Sequence, residues 1–202
     1  MFVKSVVLYW FGRYSSTIRK GRTIMLQRIL RAIRLDPTVF REVADDRNAM
    51  SEAAIIVVVV TLLSALGSAF SSGNFLGNLL VNVAAGILVG WIGWAAITYF
   101  VGKTMFKGQT DIPEMMRVLG YASAPKFLGI LAIIPCVGWI GAVIGWILSL
   151  VAGVIAIREA MEFDTTNAVI TMVISWVIAF VITMAIGLLF GGGAAALSTI
   201  TG

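Results

Sequence analysis

The feature that most constrains this chain is the length of its apolar runs. Beyond Arg47 the sequence divides into stretches nearly free of charge, at about 50–70, 76–101, 115–134, 137–157 and 168–190. A hydrocarbon core of about 30 Å takes roughly 20 helical residues to cross, and each stretch comes close to that length. The apolar residues run together and do not alternate, which speaks against strands. Lipid tolerates strands only in closed barrels. Composition removes the soluble alternative, because 59% of the 202 residues are hydrophobic and 12% are charged, too few to coat a globule. The expectation is an all-α, polytopic membrane protein with five transmembrane helices, preceded by short amphipathic cytoplasmic helices. Residues 1–49 form a basic N-terminal segment and residues 50–202 the five-span domain.

Loop charges test the count. The 71–78 loop, the 135–138 turn and the tail after Phe190 are neutral, whereas the 102–114 loop carries Lys103 and Lys107 and the 158–167 loop carries Arg158. Five crossings place every charged loop on one face and every neutral loop on the other; four or six do not. The positive-inside rule then predicts a multi-pass protein of the cell membrane with its N-terminus cytoplasmic and its C-terminus outside.

The N-terminal segment has its own pattern. Arg13, Arg19, Lys20 and Arg22 stand where a signal peptide would have small residues, so no cleavable signal is expected. Met25 opens a segment that reads as a natural beginning, so residues 1–24 are expected to be an extension or a misplaced start. Residues 25–35 set Leu26, Ile29, Leu30 and Ile33 beside Arg28, Arg31 and Arg34 at helical spacing. Such a helix fits the bilayer interface, its arginines toward anionic headgroups, or the protein's own cytoplasmic surface. Asp36 and Pro37 then break it and start another, with Asp36 as cap and Pro37 at the first helical position. Ser51 is the expected cap of the first span.

Catalytic chemistry is poorly provided for. The chain has no histidine and a single cysteine, Cys136. Disulfides within the chain, His-based metal sites and His-dependent nucleophiles are therefore excluded. No glycine-rich phosphate loop, paired-carboxylate site or metal-ligand cluster appears, so no enzyme activity and no cofactor are expected. The net charge of +5 sits in the terminal block and in loops beside apolar runs. Membrane topology accounts for that placement, and nucleic acid is not an expected partner.

Two kinds of residue are candidates for function. Small residues recur every four positions at Gly86 and Gly90, at Gly141, Gly145, Ser149 and Gly153, and at Thr171, Ser175, Ala179, Thr183 and Gly187. Such stripes pack helices closely in lipid, within one bundle or against a second copy or a membrane partner. Lys126 is the ionisable residue deep in an apparent span, and Pro125 before it interrupts the helix. Either the lysine snorkels to the cytoplasmic headgroups or it belongs to a broken-helix site.

The stretch from Met25 onward resembles prokaryotic members of the Yip1-domain family. The likeness rests on Pro37-Thr38-Val39-Phe40-Arg41-Glu42-Val43 with Asp45-Asp46, and on Met116-Arg117-Val118-Leu119-Gly120-Tyr121-Ala122-Ser123-Ala124-Pro125. It implies a five-span layout with a cytoplasmic N-terminus, and Gly120-Tyr121 is similar to a Gly-Tyr element of eukaryotic relatives, which adds Tyr121 to the candidates. Those relatives carry an Asp-Leu-Tyr-Gly-Pro motif that this chain lacks, so their GTPase-binding role is not implied. The functional expectation is a non-enzymatic scaffold or organiser working through helix–helix and cytoplasmic-face contacts. The alternative is a small transporter or channel with a broken-helix site at Pro125 and Lys126.

Overall fold

The computed structural model describes residues 23–69, 75–133 and 138–201, with side-chain surroundings for 23–65, 75–130 and 140–185. The proposed extension at 1–24, the neutral connections, Cys136 and the surroundings of Gly187 lie wholly or largely outside these described residues. Apart from short connections the described residues are helical, without a strand: α1 (23–33), α2 (Pro37–Asp45), α3 (Ala49–Ala69), α4 (Phe75–Ala85), a π-helical segment (Gly86–Gly93), α5 (Trp94–Phe106), α6 (Ile112–Ala122), a 3₁₀ segment (Ala124–Ile133), α7 (Gly138–Met161) and α8 (Thr165–Thr201).

Local chemistry sets several of these boundaries. Asp36 caps α2, its carboxylate accepting from the Thr38 amide at 3.0 Å, with Pro37 opening the helix. Asp111 does the same for α6, accepting from the Glu114 amide at 2.7 Å ahead of a first turn that contains Pro113. The first span does not start on a Ser51 cap. It begins at Ala49, after Asp46 accepts from the Asn48 amide at 3.0 Å, and the Ser51 hydroxyl donates back to the Asn48 carbonyl at 3.0 Å.

The described helices support part of the five-span expectation. Three described helical stretches are long and apolar enough to cross a bilayer, at Phe75–Phe106, Ile140–Met161 and Thr165–Ala185. The apolar stretch Ala49–Ala65 is shorter. The expected span at 115–134 is not one helix: α6 ends at Ala122 and the chain continues as 3₁₀ from Ala124. Pro125 lacks an amide proton and crowds the preceding turn, so an α-helix cannot run through it unbroken.

The core follows from these breaks. α6 is buried along most of its length by α2, α3, α5 and α7, with Met115, Val118 and Tyr121 fully enclosed. The 3₁₀ segment lies against α7. A Cβ at Gly145 would stand 2.8 Å from the Pro125 carbonyl oxygen, so only glycine lets α7 approach the broken backbone.

Candidate functional site

Two features stand out, one at the charged end of the bundle and one inside it. At the charged end, Arg28 of α1 is buried and reaches three carboxylates. Its Nε donates to Glu42 at 2.8 Å, one terminal nitrogen to Asp46 at 2.9 Å and the other to Glu52 at 3.2 Å. Arg31 pairs with Asp36 at 2.9 Å and with Glu42 at 2.7 Å. Burial works against the Arg28 charge, but the hydrogen bonds it donates to Glu42, Asp46 and Glu52 outweigh it and raise its pKa. Burial likewise pushes the Glu42 carboxyl up, and the arginine bonds more than reverse that, holding it below its ordinary value. Two inward-facing arginines leave Ile24, Leu26 and Leu30 exposed on the outer side of α1.

The network continues into the bundle. The Tyr121 hydroxyl donates to the same Glu52 carboxylate oxygen that Arg28 holds, joining α6 to α3 and α1. Arg117 is buried and donates from Nε to the Val43 carbonyl at 3.2 Å and from a terminal nitrogen to that of Ala44. These are among the last carbonyls of α2, which want such a donor. At Gly120 an added Cβ would stand 2.8 Å from the Cβ of Ala53, so α6 and α3 touch at backbone distance.

Inside the bundle is a cavity of about 610 Å³, bordered by α3, α4, the π-helical segment, α5, α6, the 3₁₀ segment, α7 and α8. Lys126 lines it. Neighbouring contacts hold it against α7: the Ser149 hydroxyl donates to the Ala122 carbonyl at 2.8 Å, and Gly145 abuts Pro125. A lysine at the centre of a spanning helix costs ~2.5–3.5 kcal/mol on insertion scales. Lys126 instead presents an exposed side chain on a cavity wall. Among the described residues no carboxylate pairs with it.

The other candidates fall into place around this cavity. Gly86 faces Thr61 of α3, and a Cβ at Gly153 would meet the Met172 methyl at 3.0 Å. Gly90, Ser149, Gly153, Ala179 and Thr183 line the cavity, whereas Gly141, Gly145, Thr171 and Ser175 are buried. Tyr121 is not part of the cavity but of the charged network. Trp91 lines the cavity too and donates from its indole nitrogen to the Met116 carbonyl at 2.9 Å. Arg28, Glu52, Arg117 and Trp91 were not singled out as site residues by sequence. Arg117, a charge in an otherwise apolar run, was the available signal, because buried arginines are nearly always partnered.

A helical bundle with three bilayer-length apolar helices and a charged end defines a membrane protein of the all-α class. Among the described residues there is no cluster of metal-binding side chains. The Yip1 domain matches residues 32–186, and the chain belongs to the Yip1-domain family. No curated protein and no solved structure matches it.

Proposed function

We propose that the protein is a non-enzymatic organiser in the membrane, presenting its charged face as a preformed docking surface. The observation that carries this reading is the Arg28 cluster. One guanidinium ties α1 to α2 and α3, and Glu52 passes the connection to Tyr121 on α6. A scaffold needs a surface that does not lose order when a partner leaves, and this one is locked before any partner arrives. Leu26 and Leu30 then point outward from a fixed position, with the exposed Arg34 and Arg47 nearby in sequence to meet anionic headgroups.

The reading includes five crossings with the N-terminus cytoplasmic. α3 supplies one, and α6 with the 3₁₀ segment supplies another. Eleven α-helical residues and ten 3₁₀ residues rise roughly 16 and 20 Å, together enough for a ~30 Å core. Photo-crosslinkers placed at Leu26 and Leu30 in native membranes test the function. Adducts to a second copy or to a membrane protein are expected at both positions. A protein that stays monomeric in mild detergent and forms no adduct at either position refutes the organiser role.

A further inference from the structure

The cavity poses a chemical question separate from the docking surface. Four of the five hydroxyl groups that line it are already committed as donors to helix carbonyls: Ser64 to Val60, Ser123 to Gly120, Ser149 to Ala122 and Thr183 to Ala179. The Asn82 amide nitrogen is likewise given to the Asn78 carbonyl. Lys126 contributes three ammonium protons and meets no carboxylate among the described residues. Lys126 is exposed to this space, where an anion that brings its own charge can supply the partner that the described residues do not.

The walls say where that anion comes from. Val89, Trp146, Trp176 and Phe180 all border the cavity, and each is more than half exposed on the outside of the bundle. They belong to the three bilayer-length apolar stretches, so the cavity opens sideways toward acyl chains and not only toward water. Its volume of about 610 Å³ lies within the ~300–1,000 Å³ range of small-molecule sites. The π-helical turns at Gly86–Gly93 form part of the wall, a helix type often found at functional positions. A Cβ at Gly90 would touch nothing within 4 Å, so the space there is open.

We infer that this cavity binds an anionic membrane lipid, its phosphate on Lys126 and its acyl chains leaving past Trp146, Trp176 and Phe180. The site stands whether or not the charged face docks a partner. Native mass spectrometry of the full chain in mild detergent, titrated with phosphatidylglycerol and with phosphatidylcholine, tests it. The expected result is at least a tenfold preference for phosphatidylglycerol, lost in Lys126→Met and largely kept in Lys126→Arg. Gly90→Leu fills the open space without a clash, leaves every charge in place, and should weaken retention of both lipids. It also reports on the site if Lys126→Met proves too unstable to purify. Equal binding of the two lipids, or an unchanged preference in Lys126→Met, overturns the inference. So does displacement of the lipid by millimolar inorganic phosphate, which would mark a site for soluble anions.

Discussion

Replacing Arg28 by Met removes one side chain and leaves three carboxylates facing one another. The Arg28 side chain is 9% exposed, while Glu42, Asp46 and Glu52 are 40%, 29% and 20% exposed. Breaking a fully buried pair costs 3–5 kcal/mol, and an exposed one about 0–1 kcal/mol. Glu42 keeps Arg31 at 2.7 Å and is the most exposed of the three, so its share is at the low end. Asp46 and Glu52 each lose a charge-assisted bond in a partly dry setting, on the order of 1 kcal/mol apiece. The sum is roughly 2–3 kcal/mol, or about 4–12 °C in thermal midpoint for a chain of this size. Tryptophan fluorescence during heating in mild detergent measures it. Glu52→Gln added to Arg28→Met should cost much less than it does alone, because the two act through one contact. A shift below about 1 °C for Arg28→Met, or full additivity in the double variant, refutes the cluster as the lock on α1.

Acid should act on the same cluster. Asp36 is held down to about 2 by hydrogen bonds from Thr38 and then Arg31, and Glu42 and Asp46 also lie below their ordinary values. Carboxyls with lowered folded values stabilise above their unfolded values of 4.5 and 3.8 and lose that contribution as pH falls through the folded ones. The thermal midpoint of the wild type should therefore drop below roughly pH 4.5, and that of Arg28→Met should drop less steeply. Gly145→Val places a branched side chain against the Pro125 carbonyl, 2.8 Å from the Cβ position, and should destabilise by about 1–3 kcal/mol in the same assay. Glu162 ends α7 in the left-handed region at φ 55°. Its 3.7 Å ion pair with Arg41 joins two largely exposed side chains. Glu162→Gly should thus stabilise by about 0.5–1 kcal/mol; a measured loss would mean the ion pair outweighs the strain.

Features that depend on near neighbours were legible in the sequence. Asp36 caps α2 and Pro37 opens it as their spacing predicts, and the break at Pro125 is visible because proline acts on its own turn. The Arg28 cluster was not legible, since its partners lie 14, 18 and 24 residues away and nothing local distinguishes Arg28 from Arg34. Amphipathic spacing suggested that α1 turns its arginines to headgroups or to protein. The choice rests on carboxylates contributed by α2 and α3. The π-helical segment left no sequence mark either. Gly86, Gly90 and Gly93 permit it, but glycines at that spacing equally fit a plain packing stripe, which is how they read without neighbours.

The third apolar stretch shows why a broken helix suits this bundle. Twenty-one residues of continuous α-helix would rise about 31 Å as one smooth rod, with Lys126 on its flank. Ending α6 at Ala122 and continuing as 3₁₀ raises the rise per residue from ~1.5 to ~2.0 Å, so fewer residues reach across. The break also brings the Pro125 carbonyl against Gly145, a contact that no side chain larger than hydrogen permits at that position. The Ala122 carbonyl, near the end of α6, is satisfied from outside by the Ser149 hydroxyl. A donor on α7 thus replaces an amide that the interrupted helix does not supply, which is how non-helical turns survive at membrane depth. With its backbone anchored on both sides, Lys126 is held on the cavity wall. Ser149→Ala should leave the Ala122 carbonyl short of a donor and lower the thermal midpoint, whereas Ser149→Thr should retain the bond.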